Sequence, residues 1–191
     1  QNRTGFKNLI KMASAAYLEG FYFKPRIDKQ LLEQHSEGLI CLSGCVSSEF
    51  NQAILKGFGD VPQLDKAIEV SQWFQKVFDD RYFIEVMNNG IEIQRMALEG
   101  SLAVAKRIGV PMVATSDCHY VDEVDADAQD VMLCINTGRF RTDTSRMKME
   151  GNEFFLRSGE EMYAAFPGME EVVAQSQTIA DTVDINLELG K

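Results

Sequence analysis

Val110-Pro111-Met112-Val113-Ala114-Thr115-Ser116-Asp117-Cys118-His119-Tyr120 is the stretch from which the fold is read. Val110 to Ala114 are mostly apolar and predict a short buried strand entered through a proline. Thr, Ser, Asp, Cys and His then follow without a break. A strand ending in Asp-x-His places a carboxylate and an imidazole at its C-terminal end, where parallel α/β folds gather ligands and metals. Side chains of an extended segment repeat every second residue, so Asp117 and His119 are expected on one side and Cys118 on the other, in the core. An oxygen and a nitrogen donor so placed suit a divalent transition metal such as Zn²⁺ or Mn²⁺. A plainer reading also fits: Asp117 caps the next helix and His119 packs.

Upstream, Arg81 to Met87 reads as a strand closed by Asn88-Asn89-Gly90, and Ile91 to Ile108 as a long amphipathic helix stopped by Gly109. Further back, Gly38 to Ser43 reads as a strand ending in Gly44-Cys45. A helix then runs from Ser47 or Ser48 to Lys56 and stops at Gly57-Phe58-Gly59. A second follows Asp60-Val61-Pro62, with Leu64, Ala67, Ile68, Trp73, Phe74 and Val77 as its apolar positions, and breaks at Asp79-Asp80. Downstream, Asp122 to Asn136 reads as a helix with Val124, Ala128, Val131, Met132 and Ile135 inward. Residues 38–137 thus alternate strand with helix, which implies a parallel sheet with right-handed crossovers, open or closed into a barrel.

The flanks are simpler. Thr4 to Glu19 predicts a helix with Phe6, Leu9, Ile10, Ala13, Ala16 and Tyr17 on one face. Phe21 to Ile27 is aromatic and basic, extended around Pro25; Lys24 and Arg26 either contact phosphate or are solvated cations on a connector. Asp28 can cap a short helix through Gln34. His35 precedes its strand and is expected at the surface of the opposite face. Residues 139–151, with Arg139, Arg141, Arg146 and Lys148, read as a loop or extended arm. Glu153 to Arg157 reads as a short strand, Ser158 as the cap of a helix through Phe166, and Met169 to Val183 as a last helix.

Composition narrows the function. The chain of 191 residues is 45 % apolar and 25 % charged, as ordinary globular proteins are. No apolar run approaches the roughly 20 residues that cross a bilayer. It opens Gln-Asn-Arg-Thr-Gly, with neither an initiator Met nor a signal peptide, so an excised piece of a longer protein is expected. A net charge of −10 is unfavourable for broad nucleic-acid binding. Four cysteines without a C-x-x-C pair are expected as free thiols in a reducing cytoplasm.

At the C-terminal ends of the three strands stand Ser43 and Cys45, then Glu85 with Asn88 and Asn89, then Asp117 and His119. In a barrel these ends share one mouth. Cys45 is there either a metal ligand or a small buried residue at a tight turn. Glu85 either lines the site or is satisfied by an arginine or a backbone amide. Gly44-Cys45, Tyr82-Phe83-Ile84-Glu85-Val86 and Ala114 to Tyr120 resemble the PHP (polymerase and histidinol phosphatase) domain. More narrowly, Phe21 to Asp28, Asp130 to Gly138 and Phe154 to Ser158 resemble the N-terminal region of the bacterial DNA polymerase III alpha-subunit family.

The resemblance implies an α/β fold: a partial, distorted (β/α)7 PHP barrel. Residues 1–150 would be its C-terminal part, and 151–191 a linker and the helical start of the polymerase palm. Cys45, Asp117 and His119 match metal-ligand positions of that family; its other ligands, a His-x-His among them, lie upstream of this chain. Where many relatives have Asp-His-Gly, this chain has Asn88-Asn89-Gly90.

The implied function is that of a piece of a replicative, cytoplasmic DNA-directed DNA polymerase. Zn or Mn would sit in the PHP site, with 3′–5′ exonuclease or phosphoesterase activity in the intact protein, and Mg would serve polymerisation in a palm that is absent here. The implied partners are primer-template DNA, deoxynucleotides, a proofreading subunit and a sliding clamp, with no membrane. Two alternatives stand beside it, a stand-alone PHP phosphoesterase and a non-catalytic module bracing the polymerase.

Overall fold

The computed structural model describes residues 1–56, 64–187 and 190. The Gly57-Phe58-Gly59 stop and the Asp60-Val61-Pro62 start fall outside them. Three strands form a parallel sheet: β1 (Cys41–Leu42), β2 (Tyr82–Met87) and β3 (Met112–Thr115), in the order β1-β2-β3. Cys41 lies opposite Tyr82, and Ile84 to Met87 run opposite Met112 to Thr115. The central strand is the longest and is buried on both faces, as parallel strands flanked by helices must be. The expected first strand contracts to two residues, continued by Ser43 N–H donating to Phe83 O at 3.0 Å. The last begins at Met112 rather than Val110.

Eight helices surround the sheet among the described residues: α1 (Arg3–Leu18), α2 (Lys29–Gln34), α3 (Glu49–Leu55), α4 (Leu64–Phe78), α5 (Glu92–Ile108), α6 (Ala126–Thr137), α7 (Gly159–Ala165) and α8 (Glu170–Asp181). Several begin where their caps place them. Asp28 accepts from Leu31 N–H, Ser48 from Asn51 N–H, and Ser158 closes a reciprocal box with Glu161. α5 ends at Gly109, whose φ of 72° suits a glycine.

One core holds this together. Phe50 and Ile54 of α3, Phe78 of α4, Ile84 of β2, Val104 of α5 and Phe166 beyond α7 are buried in a single cluster. Gly100 lets α3 approach α5, since a Cβ there would stand 2.3 Å from Ile54 Cγ2. α8 covers β3, and Val173 joins the same cluster.

Three expectations are corrected. Most of the apolar face read on α1 lies outward: Phe6, Leu9, Ile10, Ala13 and Tyr17 are exposed, and of that face Ala16 is buried, beside Gly5, Asn8 and Met12. Close approach decides this, because the Gly5 position abuts Gly38, where a Cβ would meet the Gly38 carbonyl at 1.9 Å, and Asn8 donates to Glu37 O at 3.0 Å. α6 likewise exposes Val131, Met132 and Ile135 and buries only Cys134 among its described residues; Val124, in the single 3-10 turn before it, is also exposed. Cys118 is exposed rather than in the core, because Asp117 adopts a left-handed φ of 47° and breaks the strand alternation on which that expectation rested.

Candidate functional site

The C-terminal ends of β2 and β3 carry the carboxylates. Glu85 on β2 accepts a hydrogen bond from Thr115 Oγ1 at 2.8 Å and another from the Gly44 amide, while its own N–H donates to Ser43 Oγ at 2.9 Å. Burial pushes its pKa up, the two donors offset part of this, and the Asp117 charge adds to the rise. Glu85 is thus satisfied by an amide and a hydroxyl, with no arginine involved. Its charge reaches Cys41, whose thiol is pushed up to about 11, chiefly by burial, and so stays protonated at neutral pH.

Cys45 stands half-buried in the turn after β1 and lines a narrow cavity with Glu85, Asn51, Gln94 and Ser101. Asn51, one turn into α3, donates to the carbonyls of both Gly44 and Cys45 at 2.9 and 3.1 Å and fixes that turn.

Asp117 and His119 lie together on the loop after β3. His119 Nδ1 lies 2.7 Å from the Asp117 carbonyl and 3.9 Å from Asp117 Oδ1. A ring whose Nδ1–H donates to a carbonyl keeps the lone pair of Nε2 free. Asp117 Oδ2 accepts from Gln94 Nε2 at 3.2 Å. Residues 153–157 brace this loop from outside. His119 N–H donates to Phe154 O at 2.8 Å, the two rings meet edge-on at 5.5 Å, and Tyr120 pairs with Phe155 in a lone parallel bridge where a short strand was expected. Arg157, its side chain 6 % exposed, donates to Asn88 O at 2.7 Å and ties the brace to the end of β2.

The donor chemistry fits a divalent cation in part. One carboxylate oxygen and one imidazole nitrogen, adjacent and oriented, can fill two coordination positions. Among the described residues no three His, Cys, Asp or Glu side chains form a group able to hold a metal ion. Cys45 shares its cavity with Glu85 rather than with the Asp117–His119 pair. Lys24 and Arg26 lie elsewhere and are exposed. The Arg26 guanidinium rests 4.9 Å from the Tyr22 ring and lines a groove with Glu19 and Asp28, an acidic setting. His35 terminates α2, with Nδ1 3.1 Å from Leu31 O.

Sequence reading missed Gln94. The available signal was a glutamine at the third position of a helix preceded by Asn-Asn-Gly, a variant of the capping box in which the side chain reaches back to an upstream N–H. Gln94 Oε1 accepts from Asn89 N–H at 2.7 Å.

Residues 1–89, which hold β1, β2, Cys45 and Glu85, match the model of the PHP domain. The match ends before β3, so Asp117 and His119 lie beyond it. Over nearly its whole length the chain is similar to DNA polymerase III alpha subunits. It is 41 % identical over 184 residues to that of Borreliella burgdorferi, covering 96 % of this chain and 16 % of the relative. With that of Treponema pallidum it shares 38 % over 188 residues, or 98 % and 16 %. With that of Thermus aquaticus it shares 39 % over 190 residues, or 98 % and 15 %. The chain spans about one sixth of the length of these relatives. No helix among the described residues is long and apolar enough to cross a membrane.

Proposed function

We propose that this chain is part of the PHP region of a replicative DNA polymerase, a DNA-directed nucleotidyltransferase, and that the ends of β2 and β3 contribute two or three ligands to a divalent-metal site completed by residues elsewhere in the longer polypeptide. The observation that carries this is the adjacent Asp117–His119 pair, with His119 Nε2 left free by the Nδ1 contact to the Asp117 carbonyl, in a chain whose relatives over its whole length are DNA polymerase III alpha subunits.

Asp117 and His119 would hold the metal, Cys45 would join them from the turn after β1, and Glu85 would line the floor. A zinc or manganese ion bound there supplies Lewis-acid polarisation of a phosphate ester and acidifies water, the chemistry of 3′–5′ exonucleolytic cleavage. The protein's own part is to fix the ligands: Gln94 on the Asp117 carboxylate, Phe154 against His119, and the Gly44 amide on Glu85. Primer-template DNA, deoxynucleotides with magnesium, a proofreading subunit and a sliding clamp would be engaged by the polypeptide as a whole. Residues 151–191 would lead from the PHP region toward the palm, although α8 packs on β3. Lys24 and Arg26 stay outside the proposed site, since Arg26 sits on Tyr22 beside acidic groups.

A second reading is a module that only braces the polymerase; it is supported by the fastening of the same loop to neighbouring elements, Asp117 by Gln94 and His119 by Phe154. Metal analysis of the full-length polypeptide separates the two. Stoichiometric zinc or manganese that falls in both Asp117→Ala and His119→Ala supports the metal site. Metal-free wild-type protein, purified and assayed in added metal without uptake, supports the brace.

A further inference from the structure

Asp117 is held from two directions by one buried pair of amides. Gln94 is 2 % exposed and Asn89 1 % exposed. Gln94 donates to Asp117 Oδ2 at 3.2 Å and accepts from Asn89 N–H at 2.7 Å. The Asn89 side chain donates to Ser116 O at 2.7 Å and to Glu153 O at 2.6 Å. Ser116 immediately precedes Asp117, whose φ of 47° lies where side-chain-bearing residues rarely settle. The pair therefore fixes both the backbone that turns Asp117 and the carboxylate that this turn presents.

Two features show that this arrangement is not explained by packing alone. Asn89 Oδ1 is buried without a hydrogen-bond partner among the described residues. The amide cannot be turned to relieve it, because Nδ2 already faces two carbonyl oxygens. A buried acceptor without a partner and a left-handed residue other than glycine are both unfavourable in themselves. Penalties of this kind gather where geometry serves a site. The loop ends are also tied independently: Asn88 donates to Ala165 O at 2.7 Å and Arg157 to Asn88 O. The loop could close without Gln94 touching Asp117.

We propose that Gln94 and Asn89 are positioning residues for Asp117. Gln94 occupies one carboxylate oxygen so that Oδ1 alone faces outward beside His119, and Asn89 holds the Ser116 carbonyl that sets the turn. The ligand so presented is a divalent cation, taken through one oxygen of Asp117. This rests on the metal reading above.

The test is a zinc titration of the full-length polypeptide, in competition with a chromogenic chelator, alongside a thermal melt of the metal-free protein. Gln94→Met keeps length and removes both amide contacts; Gln94→Asn keeps the amide but falls short of Asp117, and serves if the first variant does not fold. Asn88→Ala, which loosens the same loop without touching Asp117, is the control. The expected result is a zinc affinity lowered about 10- to 100-fold in the Gln94 variants, lost in Asp117→Ala, and unchanged in Asn88→Ala. Wild-type affinity in a folded Gln94 variant overturns the inference while leaving the metal site standing. An equal loss in Asn88→Ala overturns it too, by showing that general loosening suffices. Absence of zinc uptake by the wild type, or full uptake by Asp117→Ala, overturns the metal reading and this inference with it.

Discussion

Helices α1 and α5 are nearly the same length, 16 and 17 residues, and both are amphipathic in sequence. They behave in opposite ways. α5 lays Ala97, Gly100, Val104 and Ala105 against the sheet and α3. α1 turns Leu9, Ile10 and Tyr17 to solvent and docks through a line of small and polar residues, Gly5, Asn8 and Ala16 with Met12. A period of 3.6 shows that a helix has an apolar side; it does not show what covers that side. Here the closest backbone approach, between Gly5 and Gly38, decides which face turns inward.

The contrast can be broken by substitution. The largest effect is expected under α5: Phe50→Ala empties the centre of the core and lowers the unfolding free energy by about 3–5 kcal/mol, read from denaturant titration. Gly100→Ala comes next. Ile54 is fully buried and has no room to give, so an added methyl costs about 1–3 kcal/mol by overpacking. If Gly100→Ala is neutral, the contact between α3 and α5 is looser than the geometry states.

The arm at residues 139–151 supplies a milder case, held by charge rather than by apolar contact. Arg146, 8 % exposed, pairs with Asp130 through two nitrogens at 2.5 and 2.8 Å, and Arg141 pairs with Asp127 and Asp130. The hydrogen bond and charge of Arg146 hold the Asp130 carboxyl below its usual range. Such a group binds fewer protons folded than unfolded. Its contribution is therefore complete above the ordinary carboxylate range and is lost as pH falls below that range through the lowered folded value. Protection of the arm's amides, measured relative to their intrinsic exchange rate at each pH, is expected to fall on acidification, and Asp130→Asn to make that protection low and nearly independent of pH. An arm that stays protected in Asp130→Asn would show that something other than this pair holds it.

The smallest effect is expected on α1, where Ile10→Ser changes stability by no more than about 0.5 kcal/mol, as exposed substitutions do. The same change in the full-length polypeptide sharpens the comparison. A cost of about 1.5–3 kcal/mol there, the worth of one buried aliphatic side chain, would mean that the outward face of α1 is covered in the larger protein.

Much of the fold is legible in the sequence because it is local. Caps at Asp28, Ser48 and Ser158, the glycine stop at Gly109 and the buried run of β2 each depend on neighbours a few residues away. The alternation of strand and helix then orders the sheet. What stayed hidden depends on distant partners or on one unusual dihedral. Gln94 meets Asp117 across 23 residues and Arg146 meets Asp130 across 16, and neither pairing has a periodic signature. Cys118 was misplaced because strand alternation fails at a single left-handed residue. The nearness of Asp117 and His119 was legible because both stand on one short loop, whereas the place of Cys45 depends on how another strand end folds.

The first and last described stretches meet. Asp184 N–H donates to the Gln1 carbonyl at 2.7 Å, beside the Gln1 nitrogen that reaches Gly38 O, also at 2.7 Å. Two hydrogen bonds at one residue thus stitch α1, the turn at Gly38 and the segment after α8 to one another. An exposed loop such as residues 139–151 can take an insertion without touching that seam, and the sheet and the loop holding Asp117 keep their neighbours.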